Sequence, residues 1–295
     1  MRKPRIQLIA FDSFGVRSMA TVIEVNGLKI FIDPGASYAP RRYGLPPHPI
    51  ELETLEKLID TICKDLQDST HIIISHYHYD HYLRGEEYKE LYRHKELFVK
   101  NPKENINVSQ RLRAYRFFEK NGVKSLAKVN IADARTYSLD TGIKLEFSKP
   151  VPHGEEGTPL GYVIMTLLDV DGYRVVHTSD VQGPISESTL NILINWKPHM
   201  VILGGPPTYF EGFKISNECI VRSLNNMKKL VHMRQLEVLV VDHHSLRDLN
   251  YKDKLKEVFE LGSRMGKKVV TAAEYMGKEP QPLEAMRKIL WEKSK

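Results

Sequence analysis

Short apolar runs closed by turn residues alternate with longer stretches whose apolar positions recur every three or four residues, the pattern of strands interleaved with helices. The first three runs, over 5–11, 20–25 and 29–32, predict strands, and Asn26-Gly27 predicts a tight hairpin between the second and third. Leu52, Leu55, Ile59, Ile62 and Leu66 then share one face, which predicts a helix over 51–66. The run 71–75, reading HIIIS, predicts a buried strand. Further on, a helix over 108–120 stops at Asn121-Gly122, and strands follow at 135–139 and 144–148. A second hairpin, 162–170 with 173–178, turns at Asp171-Gly172. Strands at 200–203, 237–241 and 268–271 alternate with helices near 185–195, 216–231, 250–264 and 282–292. Hairpins combined with helices that start where strands end predict an α/β chain of the α+β type, with sheets covered by helices.

Composition narrows the class. The 295 residues are 41% hydrophobic and 27% charged, which supplies a sizeable core and excludes a disordered chain. No apolar stretch approaches the roughly 20 residues that cross a bilayer. The run 6–11 is interrupted by Gln7 and stops at Asp12, so it does not read as a secretory leader. Cys63 and Cys219 make no disulfide framework and carry no metal-ligand spacing. A cytoplasmic protein without membrane contact is expected. With no repeat and no Gly/Ser-rich linker, one domain over 1–295 is expected, carrying a small helical insertion near 103–122. The net charge of +6 favours an anionic partner, a small molecule or a nucleic acid, and nothing in the sequence sets an oligomeric state.

The chemistry concentrates at His76-Tyr77-His78-Tyr79-Asp80-His81, directly after the HIIIS strand. In an extended segment His76 and His78 point to the same side and can hold one cation, while Asp80 and His81 can reach a second. Imidazole with carboxylate suits zinc, and also iron or manganese. His153, Asp180 and the pair His243-His244 also follow strand ends, where functional groups collect. The remaining histidines, His48, His71, His94, His199 and His232, read as structural or solvated, and His177 reads either way.

Taken together, these motifs resemble the metallo-β-lactamase fold superfamily over nearly the whole chain. Phe31-Ile32-Asp33-Pro34-Gly35 is similar to the early aspartate motif, His76 to His81 to the HxHxDH signature, and His153, Asp180 and His243 follow in the family's order. The chain is also similar to an archaeal branch of that superfamily, a likeness that names no substrate. The resemblance implies a four-layer αββα sandwich. It implies one metal ion on His76, His78 and His153, a second on Asp80, His81 and His243, and Asp180 bridging both. Asp33 would order the ligand loop rather than bind metal. The stretch 242–247 is similar to the Thr-His-Phe-Ser segment of transfer-RNA-processing members, which places the ligand at His243, with His244 the alternative and otherwise a neighbour of the ligands.

Two divalent ions, zinc before manganese or iron, would lower the pKa of a shared water, and a hydroxide bridging them would attack a carbonyl carbon or a phosphorus. Asp80 is the expected catalytic residue, binding metal and orienting that hydroxide. The donor to the leaving group stays open among His244, Tyr209 and water. Arg41, Arg42 and Arg247 are the expected contacts to a substrate anion. Basic residues on 103–122, Lys103, Arg111, Arg113, Arg116 and Lys120, read as phosphate contacts or as the solvated face of a helix. The expected function is a metal-dependent hydrolase of phosphoesters, including nucleic acid. The alternatives are a thioester or lactone hydrolase, di-iron redox chemistry, and a non-catalytic metal-binding or RNA-binding protein.

Overall fold

Two tight hairpin turns set strand registers in two different sheets. At Asn26-Gly27 the φ angles are 50° and 79°, and at Asp171-Gly172 they are 48° and 88°. Positive φ at both central residues makes a turn whose twist matches that of the strands it joins. A computed structural model describes residues 3–294. By internal packing the chain forms two compact units, one of 4–132 with 280–294, the other of Lys3 with 133–279.

The first unit holds β1 (Arg5–Phe11), β2 (Met19–Val25), β3 (Leu28–Ile32), α1 (Pro49–Asp68), β4 (His71–Ile74), β5 (Glu96–Val99), α2 (Val108–Tyr115), α3 (Val123–Leu126), β6 (Lys128–Ile131) and a C-terminal helix, Leu283–Lys293. Its six strands lie in the order β1-β2-β3-β4-β5-β6. The β1–β2 and β2–β3 pairs are antiparallel, and every later pair is parallel. Helix α1 begins earlier than its apolar face predicts, because Pro49 fits the first turn and His48 with Glu51 closes a capping box. It buries Ile62 and Leu66 in a core shared with Val22, Phe31, Ile72, Ile74 and Leu97.

The segment expected as an insertion, 103–122, connects parallel strands β5 and β6. It contributes Ala114, Phe117 and Phe118 to the same core. After α2 the helix widens into a π-helical turn, Arg116–Lys120, before ending at Asn121.

The second unit holds β7 (Thr136–Asp140), β8 (Ile143–Phe147), β9 (Val151–Pro152), β10 (Tyr162–Val163), β11 (Thr166–Val170), β12 (Tyr173–His177), α4 (Glu187–Trp196), β13 (Met200–Gly204), α5 (Asn217–Val231), β14 (Val238–Asp242), α6 (Tyr251–Lys254), α7 (Lys256–Arg264), β15 (Lys268–Val270) and α8 (Ala272–Tyr275). Seven strands run β15-β14-β13-β12-β11-β8-β7, and β9 pairs with β10 apart from them. This sheet too passes from antiparallel pairs, β7 to β12, to parallel ones, β12 to β15. Its core joins Val176, Val201, Leu203, Leu239 and Val241 from strands to Leu190, Leu193, Met227 and Leu230 from helices.

In both units most site residues follow the carboxyl ends of parallel strands: Asp33 after β3, the histidine loop after β4, Asp180 after β12, and His243 at the end of β14; His153 instead follows β9, which pairs antiparallel with β10. The carboxyl end of a parallel sheet is where loops diverge and side chains converge on a ligand. Among the described residues no helix is long and apolar enough to cross a membrane.

Candidate functional site

In the first unit the histidine loop is fastened from beneath by Asp33. Its Oδ1 accepts a hydrogen bond from the Ser75 N–H at 2.8 Å, and its Oδ2 accepts one from the Ser75 hydroxyl at 2.6 Å. The same Oδ2 lies 2.8 Å from His81 Nδ1. Asp33, Ser75, His76 and His81 are fully buried. A carboxylate on Nδ1 fixes that nitrogen as the protonated one and leaves Nε2 with the lone pair a cation needs. Asp33, His76 and His81 bring possible donor atoms within 4.8 Å of one another. His78, Tyr79 and Asp80 are half-buried and form the outer part of the loop. The Tyr77 N–H donates to Gln110 Oε1 at 3.0 Å, and the Tyr77 hydroxyl donates to the Lys100 carbonyl at 2.5 Å. Both bonds anchor the loop between its histidines. Tyr77 and Tyr82 pack in the unit's core.

Gly35 explains why a glycine closes the aspartate motif. A Cβ there would stand 2.1 Å from the Tyr82 nitrogen and 2.7 Å from the His81 carbonyl carbon. The chain after β3 therefore passes directly against the ligand loop's backbone.

In the second unit Asp180 is the centre. Its Oδ2 lies 2.9 Å from His153 Nε2, and its Oδ1 lies 3.1 Å from His243 Nε2. His244 Nε2 is 3.9 Å from Oδ2. Asp180, His243 and His244 form a second group of donor atoms within 4.8 Å of one another, all buried. Both histidines of the pair thus face Asp180, and His243 makes the shorter approach. Burial, reinforced by His243, holds the pKa of His244 well below its ordinary value and keeps the ring neutral. One buried carboxylate facing three imidazoles is a donor set that zinc, manganese and iron all accept.

Several supports carried no signal in the sequence. The Gln182 amide lies 3.3 Å from His153 Nδ1. Asp242 Oδ1 accepts from the His243 N–H at 2.7 Å, and its Oδ2 accepts from the Ala272 N–H at 2.9 Å, tying the ligand turn to α8. Asp33, Ser179, Gln182 and His243 all adopt left-handed backbone, with φ between 51° and 57°. Non-glycine residues hold that conformation at a cost the surrounding packing must offset, and here they flank the ligands.

The expected anion contacts are placed differently from one another. Arg247 is 4% exposed, and its Nη2 sits 3.1 Å from His243 Nε2 and 3.3 Å from Nδ1. Arg41 is exposed, and Arg42 stacks over the Tyr43 ring at 4.7 Å. In the 204–209 loop, a Cβ on Gly205 would meet the Ser245 hydroxyl at 2.2 Å, so this glycine serves packing against the His243–Arg247 turn. Tyr209 is half-buried against Phe210.

No family model matches the chain. It is 44% identical over 290 residues to a UPF0282 protein of Aeropyrum pernix, covering 97% of this chain and 98% of that one. It is 40% identical over 294 residues to a UPF0282 protein of Methanopyrus kandleri, covering 96% and 97%. Among solved structures, the metallo-β-lactamase fold protein YhfI of Bacillus subtilis matches with a TM-score of 0.55 at 12% identity, covering 95% of this chain and 98% of that one. Unliganded yeast PDE1 matches at 0.54 and 13% identity, covering 90% and 96%. CmlA, a diiron β-hydroxylase of Streptomyces venezuelae, matches at 0.54 and 11% identity, covering 92% of this chain and 53% of that one. The chain has the metallo-β-lactamase fold, as its motifs imply; at such identities the likeness establishes the fold alone.

Proposed function

Since the chain belongs to the UPF0282 family and has the metallo-β-lactamase fold, we propose that it is a metal-dependent hydrolase acting on phosphoesters. One metal ion would be held by His76, His78 and His153, and another by Asp80, His81 and His243, with Asp180 shared. The observation that carries this reading is the buried Asp180 carboxylate, whose two oxygens each face the Nε2 of a different histidine. Such a carboxylate has no role in packing, and its surroundings suit a cation shared between ligands. Bound there, two dications would supply an activated water at neutral pH and would stabilise charge on the substrate oxygens.

The chain's own residues do the rest. Asp33 holds His81 with its Nε2 lone pair presented. Asp80, half-buried at the outer end of the loop, orients the attacking water and accepts its proton. His244, kept neutral by burial, would offer the leaving oxygen an N–H hydrogen bond rather than a proton, which leaves Tyr209 or water as the proton donor. The phosphoester preference is supported by the net charge of +6, the Arg41-Arg42 pair and the likeness around His243 to transfer-RNA-processing members.

The test is metal analysis of the purified protein, followed by turnover of a model phosphodiester, a thioester and a lactone with added zinc or manganese. Asp80→Ala should lower phosphodiester turnover by about 100-fold or more while the protein stays folded. Full activity in that variant overturns the role of Asp80. Turnover of carbonyl substrates alone overturns the phosphoester reading. Oxygen consumption without hydrolysis would move the protein towards the chemistry named for CmlA.

A further inference from the structure

The first unit carries a group of arginines that the proposed metal ligands do not use. The guanidinium carbon of Arg84 lies 3.8 Å from the Tyr79 ring centroid, and that of Arg113 lies 4.3 Å from it. Tyr79 stands between His78 and Asp80 in the ligand loop. Arg113 also reaches the loop backbone, its Nη1 3.4 Å from the Tyr77 carbonyl. Arg116 follows Arg113 by three residues in the turn after α2. Three nearby carboxylates are engaged with other cations: Glu86 with Lys89, Glu90 with Arg93, and Glu119 with Lys124. Among the described residues, none of the three arginines is in an ion pair.

We propose that Arg84 and Arg113, held over the Tyr79 ring, form a phosphate-binding site at the edge of the ligand loop. A guanidinium held over a ring uses none of its N–H groups in that contact, so each keeps donors that can meet an anion. A phosphate offers enough oxygens in a tetrahedral array to meet two such forks together, whereas a carboxylate has only two. That the bound phosphate is a non-reacting group of the substrate rests on the hydrolase reading; that it binds does not.

The experiment titrates inorganic phosphate into EDTA-treated protein at low salt, by calorimetry, with circular dichroism to show that each variant is folded. Saturable binding is expected, weakened roughly ten-fold or more in Arg84→Ala/Arg113→Ala. Arg84→Lys/Arg113→Lys keeps the charge without the fork and should recover only part of the affinity. Arg93→Ala, at a guanidinium already paired with Glu90, should change nothing. No saturable binding by the wild-type protein, or wild-type affinity in the double alanine variant, overturns the proposal. Because metal is absent throughout, phosphate binding by a protein that neither holds metal nor hydrolyses sinks only the hydrolase reading. Hydrolysis without this binding sinks only the phosphate site. A short single-stranded RNA run alongside separates the sources. Binding tighter than that of phosphate, and lost in the same double variant, assigns a polymer; binding no tighter assigns a small phosphoester.

Discussion

His81 Nδ1 and Asp33 Oδ2 lie 2.8 Å apart with both side chains fully buried, and the same carboxylate holds the Ser75 N–H and hydroxyl at the opposite end of the loop. One side chain therefore fixes where the ligand loop starts and which nitrogen of His81 faces away from it. Asp33→Asn keeps the size but puts an NH₂ group where an acceptor was needed, against the Ser75 N–H in one orientation or against both the Ser75 hydroxyl and His81 Nδ1–H in the other. Zinc affinity should fall by about 10–100-fold, measured by competition with a chromophoric chelator. Unchanged affinity would show that the loop is held without Asp33.

Gly35 makes a separate demand on the same loop. Any side chain there drives into the backbone at His81 and Tyr82, and backbone cannot swing aside. Gly35→Ala should destabilise the fold by about 1–3 kcal/mol or more, read from urea unfolding, and should lower zinc stoichiometry with it. Gly27→Ala is the contrast: its added Cβ meets nothing within 4 Å and its cost is positive-φ strain, which Gly35 does not carry.

What the sequence made legible follows from what periodicity can carry. The two hairpins were readable because Asn-Gly and Asp-Gly demand positive φ, and the long amphipathic helices because one face is apolar. Strands β5 and β6 escaped: at four residues each, within parallel pairings, they offer neither alternation nor a turn. The helix read over 250–264 is broken at Leu255, whose φ and ψ of −98° and 4° interrupt it while its side chain stays buried in the core. Apolar spacing continues across such a break. Within 103–122 the basic residues were the visible signal, while Ala114, Phe117 and Phe118, which do the packing, were not singled out. At the site, residue types and their order were visible as motifs. Orientation was not, since the Gln182 amide beside His153 and the two bonds of Asp242 depend on tertiary placement.

The C-terminal helix is locked by a buried ion pair. Arg287 is fully buried; its Nε and Nη2 donate to the two Glu51 oxygens at 2.8 and 2.7 Å, and Nη2 also donates to the Ala39 carbonyl at 2.8 Å. Glu51 in turn caps α1 through the His48 N–H. Arg287→Ala would strand a buried carboxylate and bare carbonyls, so a loss of about 3–5 kcal/mol is expected in chemical unfolding. The segment 280–294 should become cleavable by protease before the rest. A paired replacement by apolar residues of matching volume should recover most of that loss.

His199 gives the fold a pH dependence that lies away from the candidate ligands. Its ring stacks on Tyr173 with centroids 4.9 Å apart, and its Nδ1 accepts the Arg174 N–H at 3.1 Å. Burial holds its pKa below 6.5, against the pull of Glu237. The unfolded chain therefore takes up this proton first as the pH falls. The stabilisation is fully present above about pH 6.5 and is lost as the pH drops through that value towards the folded pKa. Protonation also turns Nδ1 from acceptor into donor facing another donor, so the effect is on the order of one hydrogen bond, ~1 kcal/mol. His71, half-buried and likewise shifted down by desolvation, adds to the same slope. Urea midpoints measured between about pH 8 and 5 should fall, and His199→Asn, which keeps an acceptor near the Arg174 N–H without a titrating ring, should flatten part of that fall. A variant whose slope matches the wild-type protein would remove His199 as its source.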